Sequence, residues 1–192
     1  MTGRWIGGSL RSGGVERGMV LKLGGSLLSH PEWPGLVAPL VLDQPTPLTI
    51  VVGGGEIVDA LRRIDAVAPR PAAVMHQLAI AAMDVTARLV AQAIGLPLSD
   101  RVAADGPVVL QAAAWLATDD RGARLPHDWS VTSDSIAATV AAAHGSSLLL
   151  AKRVPPDDDD LDRLAASGWV DRHFATAART LRTISWTAPA PG

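Results

Sequence analysis

The chain has no cysteine and no tyrosine, and a single phenylalanine among its 192 residues. Without cysteine there are no disulfides and no thiolate chemistry, which suits a reducing compartment; a cytoplasmic location is expected. Without tyrosine no phenol can serve as acid or base. A net charge of −2 supplies no basic face, so no nucleic-acid partner is expected. No uninterrupted apolar run reaches the ~18 residues of a membrane span, so no membrane partner is expected. The five histidines (30, 76, 127, 144 and 173) show neither HExxH nor paired ligand spacing, and no protein-held metal site is expected. Lysine is scarce. Lys22 and Lys152 are the two in the chain, and every other basic residue is arginine. Arginine serves equally well on a solvated surface, whereas a compact ammonium suits a point contact with phosphate.

Hydrophobic residues make up 48% of the sequence, enough for one core. Residues 1–18 are rich in Gly and Arg and lack an apolar h-region, so they read as a loosely attached extension, with Met19 as an alternative start. Residues 19–188 read as one domain, and 189–192 as a fraying tail.

The run Val20-Leu21-Lys22-Leu23-Gly24-Gly25-Ser26 reads as a buried strand with a lysine in it and two glycines and a serine after it. Glycines let backbone approach a ligand and expose N–H groups to an anion, so Lys22, Gly24, Gly25 and Ser26 are candidate phosphate contacts. The competing reading is a tight turn with a snorkelling lysine. Thr49–Val52 is a second β-branched run, broken by Gly53-Gly54-Gly55 and followed by helical spacing at Ile57, Val58, Leu61 and Ile64. Two strand–glycine–helix units suit an open α/β sheet, whose ligands sit beyond the carboxyl ends of the strands.

The remaining pattern alternates helix and strand. Helices are expected at 33–41, 56–67, 72–94, 111–116, 161–166 and 171–180, with one running from Thr132 or Ser133 to His144. Strands are expected at 48–52, 107–110, 147–151 and 181–186. The fold class is therefore α/β, a parallel sheet covered on both faces. On the long helix His76, Ile80, Asp84 and Arg88 step by four, a stripe that is either a solvated face or a pocket wall. Thr132 and Ser133 are N-cap candidates, with Asp134 in the first turn. Lys152 follows a strand directly, a second cation at a carboxyl end.

These motifs, in this order, resemble the amino acid kinase superfamily of carbamate, acetylglutamate, aspartate and uridylate kinases. The resemblance rests on Lys22-Leu23-Gly24-Gly25-Ser26, Gly53-Gly54-Gly55 and Ser133-Asp134-Ser135. The stretches 76–84, 129–135 and 170–174 look closest to the aminomethylfuran phosphate kinases of methanofuran biosynthesis. The resemblance implies a three-layer αβα sandwich around an open, mainly parallel sheet, with 19–128 binding the acceptor and 129–188 forming a shortened C-terminal, nucleotide-binding lobe. It implies an ATP- and Mg2+-dependent phosphotransferase acting on a small acceptor. Separately, the helix at 72–94 is alanine-rich on faces away from the His76–Asp84 stripe, and small residues permit close helix approach, so a homodimer or higher homo-oligomer using this helix is expected. Lys22 would stabilise the transferring phosphoryl group, Asp134 would orient ammonium groups, and Gly53, Gly54 and Gly55, with His76, Asp84, Thr132 and Ser133, would meet the acceptor. Asp84 or Asp134 would meet an acceptor amine. Such kinases carry Thr-Asp where this chain has Ala151-Lys152, and a later Gly-Met-x-x-Lys-like segment that this chain lacks. Lys152 is the candidate replacement cation. The rival reading is a binding protein that kept the acceptor pocket and lost turnover.

Overall fold

The computed structural model describes residues 4–14 and 16–190. Seven strands form one sheet: β1 (Trp5–Arg11), β2 (Met19–Leu23), β3 (Leu48–Val52), β4 (Leu98–Ser99), β5 (Pro107–Leu110), β6 (Ser147–Ala151) and β7 (Ile184–Pro189). Their spatial order is β1-β7-β6-β2-β3-β5-β4. Every neighbouring pair is parallel except β1 with β7. Among the described residues seven α-helices connect them: α1 (Trp33–Leu42), α2 (Gly55–Val67), α3 (Ala72–Ile94), α4 (Ala112–Thr118), α5 (Ser133–His144), α6 (Leu161–Ser167) and α7 (Phe174–Ala177). The expected α/β class, with an open and mainly parallel sheet between helices, is what the chain forms.

Strand periodicity divides the core in two. On β2 and β6, Val20, Leu148 and Leu150 face α5, while Leu21, Leu23, Leu149 and Ala151 belong to the cluster with α1 and the end of α3. Side chains alternate across a strand, so Lys22 shares the α5 face with Val20. In register, Leu23 lies between Val52 of β3 and Ala151 of β6. The carboxyl ends of three central strands therefore open at one level, and Gly24, Gly53 and Lys152 each follow one of them.

Three expectations need correction. Residues 5–11 are not a loose extension but an antiparallel strand along β7, and Trp5 Nε1 donates to Leu36 O at 3.1 Å. Gly7-Gly8 resembles a linker, yet a Cβ on Gly8 would stand 2.8 Å from the Trp186 indole nitrogen; the missing side chain lets that ring cover the strand. The last helix is only Phe174–Ala177. Upstream, the His173 N–H is drawn to Ser130 O and Asp171 Oδ1; downstream, Arg11 takes the carbonyls of Ala178 and Leu181. The final strand accordingly starts at Ile184 and takes in Pro189, counted above with the tail. Residues 191–192 lie outside the described residues.

Helix α3 matches a membrane span in length and mean hydropathy, 23 residues and 1.2. It packs against the sheet, burying Met75, Met83, Thr86, Ala87 and Val90.

Candidate active site

The two glycine turns meet face to face. An ideal Cβ on Gly25 would stand 2.2 Å from Gly55 N and 2.7 Å from Gly53 O, so that position admits glycine alone. Gly55 has φ +53°, the left-handed region that glycine enters without strain. Gly54 differs: its φ is −72° and its added Cβ would meet side chains rather than backbone, a Val58 methyl at 2.4 Å and Ala82 Cβ at 3.6 Å.

The ladder uses up part of the expected anion cradle. Gly24 N–H donates to Ala151 O at 2.8 Å and Gly53 N–H to Leu23 O at 2.9 Å. Neither amide is free for a ligand, a correction to the reading of Gly24 and Gly53. Gly25 and Ser26 open a 3-10 turn, and Gly55 opens α2 with Gly54 as its N-cap. First-turn amides have no partner within their own helix, and the α2 dipole adds positive potential there. The start of α5 arrives beside them, with the Thr132 hydroxyl capping Asp134 N–H at 3.4 Å.

A cavity of about 180 Å³ lies over these turns. Gly25, Ser26, Gly53, Gly54 and Gly55 form one side, and Thr132 and Ser133 another. Val58, Ile80, Met83 and Ile136 give it an apolar wall, while Trp129, Asp59 and Arg62 also line it. His76 lines it too; it is buried, stacked on His127 at 5.3 Å, and burial holds its pKa down. Asp84 does not line it. That carboxylate accepts the Ala113 N–H at 3.3 Å near the start of α4, and burial pushes its pKa up. The four-residue stripe drifts around the helix, so His76 and Ile80 reach the cavity and Asp84 faces α4.

Asp134, next to Ser133 of this cavity's lining, holds a buried ionic cluster. Asp134 Oδ1 is 2.7 Å from Lys22 Nζ, and Oδ2 accepts from Lys152 Nζ at 2.8 Å. The Lys22 contact lacks hydrogen-bond geometry, so Oδ1 is paired in charge but accepts no hydrogen bond. Lys152 also donates to Trp169 O and stands 4.8 Å from the centre of its ring. Burial lowers the Lys152 pKa most, the Lys22 charge adds to this, and Asp134 opposes both; the result is about 8. Burial works against the Asp134 carboxylate, but two ammonium neighbours outweigh it and hold its pKa well below the usual range. The cluster carries one net positive charge, as a site for a phosphoryl group requires. Lys152 and Asp134 line a second, more open cavity of about 400 Å³, with Trp169, Asp171 and Arg172. Arg62, Trp129 and Thr132 line both cavities and so stand between them.

A sequence model of the amino acid kinase family matches residues 17–156. The chain belongs to that family. Among solved structures, it resembles a uridylate kinase from Archaeoglobus fulgidus with a TM-score of 0.60 at 18% identity, over 91% of this chain and 92% of that one. A UMP kinase from Ureaplasma parvum is similar with a TM-score of 0.50 at 14% identity, over 76% of this chain and 71% of that one. At such identities the likeness is one of fold. No curated protein matches the sequence.

Sequence reading missed Asp59 and Arg62, and gave Trp129 and Asp171 no role beyond the stretches that carry the resemblance. Asp59 and Arg62 look like ordinary charges on an exposed helix face. The helical period placing them one and two turns past Gly55 was the available signal. Nothing in the sequence shows that Asp171 reaches back to α5.

Proposed function

We propose that this chain of the amino acid kinase family transfers the terminal phosphoryl group of ATP to a small acceptor bearing a phosphate or carboxylate. The observation that carries this reading is Asp134 held between two ammonium groups at 2.7 and 2.8 Å, next in the chain to Ser133, which lines a glycine-walled cavity. An acceptor oxygen attacks the γ-phosphorus, the bond from phosphorus to the ADP oxygen breaks, and ADP leaves with that electron pair. An anionic acceptor oxygen needs no general base. Lys22, Lys152 and the free amides of Gly25, Ser26, Gly54 and Gly55 stabilise the charge spread over the phosphoryl oxygens.

Among the described residues no group of three or more His, Asp or Glu side chains could hold a metal, and Asp134 is already engaged by both lysines. Mg2+ fits this chain as an ion carried on ATP phosphates, as Mg2+ commonly is in nucleotide sites. The protein supplies lysines there rather than ligands, and no step depends on a metal held by side chains.

The finer reading of the acceptor is aminomethylfuran-methyl phosphate, with a diphosphate as product. Two of the three stretches resembling the aminomethylfuran phosphate kinases line this cavity, and the third, 170–174, lines the second one. His76, Ile80 and Met83 come from the first; Trp129, Val131, Thr132 and Ser133 come from the second. Asp59 and Arg62 pair with each other at 3.3 Å on the exposed rim; an acceptor carrying an amine and a phosphate would exchange that pair for two of its own, and Asp59 takes the amine role first given to Asp84 or Asp134. The test is ATP-dependent phosphotransfer over a panel: aminomethylfuran-methyl phosphate, UMP, carbamate, acetylglutamate and aspartate. Turnover with the furan phosphate alone is expected. Turnover with UMP or an amino acid instead overturns the finer reading. No turnover with any acceptor, with ATP bound or not, overturns the kinase reading and leaves a binding protein.

A further inference from the structure

The segment Trp169–His173 lies outside the glycine turns and the family's matched residues, yet it grips the ionic cluster from two sides. Asp171 is buried, and it accepts five hydrogen bonds. Its Oδ2 takes Thr132 N–H at 2.9 Å, Thr132 Oγ1 at 2.8 Å and Ser135 N–H at 2.9 Å. Its Oδ1 takes the Ser135 hydroxyl and, at 3.1 Å, the His173 N–H. The acceptors of a helix start are usually local; here α5 receives a full carboxylate at its first turn from 36 residues away. Two residues earlier, the Trp169 carbonyl and ring hold Lys152. Asp134 stands on the turn that Asp171 clamps, and Lys152 is held by the strand of chain that carries Asp171. A carboxylate with this many donors has far more hydrogen bonding than an ordinary helix cap.

We propose that Asp171 is a positioning residue for the Lys22–Asp134–Lys152 cluster: it locks the first turn of α5 to the segment holding Lys152, so that Asp134 and Lys152 keep one fixed separation. This deepens the kinase reading and rests on it for its effect on turnover. Asp171 itself touches neither lysine, and its negative charge, close to Lys152, also favours that ammonium. The charged groups around Lys152 are Lys22 from β2, Asp134 from α5 and Asp171 from the loop before α7; Arg62 and Arg172 line the same cavity.

The chain offers an unusually clean probe, because Lys22 and Lys152 are its two lysines. Amine labelling by acetic anhydride across pH, read by peptide mass spectrometry, reports each of them separately. In Asp171→Asn, Lys152 should label faster and with a midpoint lower by about half a pH unit or more, because an opposite charge has gone. Turnover should fall roughly ten- to hundredfold, the scale of a small misplacement at a transfer site. Its alkaline limb should move down with the labelling midpoint. A folded Asp171→Asn protein whose Lys152 labels as in the parent overturns the proposal, even if turnover drops, because Asp171 would then be a cap of α5 and nothing more. If Asp171→Asn does not fold, Ser135→Ala decides: it keeps the carboxylate and removes one hydroxyl donor. Its turnover should fall several-fold with the alkaline limb unmoved, and parent-like turnover overturns the proposal. If the parent transfers phosphoryl to no acceptor, the kinase reading fails by itself. Labelling of Lys152 in Asp171→Asn, or in Ser135→Ala where it should become faster, then decides the positioning role, and an unchanged curve overturns it.

Discussion

Lys152 has a pKa near 8, held down first by burial and then by the charge of Lys22. Its ammonium is therefore complete below about pH 8 and lost above it, whereas an unfolded lysine keeps its proton to about 10.4. Phosphotransfer should fall as pH rises through about 8, which a rate profile at constant ionic strength will show. The stability sign is the opposite. Between about 8 and 10.4 the unfolded chain binds more protons than the folded one, so this group makes folding more favourable as pH rises through that window. Lys152→Arg should remove the alkaline limb, because a guanidinium stays charged. It should not restore full turnover, because a planar fork does not fit a point contact with Asp134 Oδ2 and Trp169 O. An alanine variant that binds and turns over ATP like the parent would return Lys152 to a structural role. For Lys22, alanine should cost roughly a hundredfold or more in turnover, the scale of one preorganised electrostatic donor. It also leaves Asp134 Oδ1 with no charge partner. A stability loss toward the lower end of the ~3–5 kcal/mol for breaking a buried pair is expected, since Lys152 stays on Oδ2. Kinetics and a melting curve on the same variant separate the two effects.

At the scale of elements, the site depends on how closely the turn after β2 approaches the turn after β3. Gly25→Ala places a methyl group against Gly55 backbone, and Gly55→Ala forces a side chain to φ +53°. Gly55→Ala should cost about 1–3 kcal/mol, and Gly25→Ala more because backbone itself must move, with close to 2–4 °C in melting temperature per kcal/mol for a chain of this size. Gly54→Ala should cost less than either, because its backbone is ordinary and the overlap is with a Val58 methyl rather than with backbone. Thermal melts of the three variants check the order; equal losses would mean the turns are not in contact as described. These turns were legible in the sequence because β-branched runs broken by glycine have few other uses. The bounds of α3 were legible too, as Pro71 and Gly95 mark its ends. Three other features were not. The strand at residues 5–11 depends on the Trp186 ring lying over Gly8, a contact 178 residues away. The Asp84 error came from taking a four-residue step as one face, although the helical repeat of 3.6 rotates it toward α4. The amides of Gly24 and Gly53 looked available because a glycine run shows who can donate, not who accepts; the parallel ladder claims both.

On the scale of the whole molecule, the question is what covers the outer face of α2 and α3. Val74, Leu78, Val85 and Leu89 are exposed along α3, and Ile57, Ile64 and Val67 along α2; Val67 is 87% exposed. The α3 positions are spaced by four, seven and four, which makes one continuous stripe. The sequence reading placed an alanine surface there, but the exposed residues are valine and leucine, which gain more from burial. A patch of this kind usually marks an interaction site. We expect a homodimer formed by this face, with the two copies of α3 packed against each other and a total buried area near the ~1,200–2,000 Å² of stable interfaces. The same helices carry Asp59, Arg62, His76, Ile80 and Met83, so pairing would brace the acceptor cavity from behind. Val85→Glu with Leu89→Glu should therefore give a monomer by light scattering at tens of micromolar. Because both side chains already face solvent, the fold should survive, and circular dichroism should stay at the parental level. Acceptor affinity should weaken while the pH at which Lys152 titrates stays the same, since Lys22, Asp134 and Lys152 all lie outside α2 and α3. A parent protein that scatters as a monomer at that concentration removes the dimer, and with it the bracing of the cavity. A dimer that survives both glutamates moves the interface to another face and leaves this stripe without a partner.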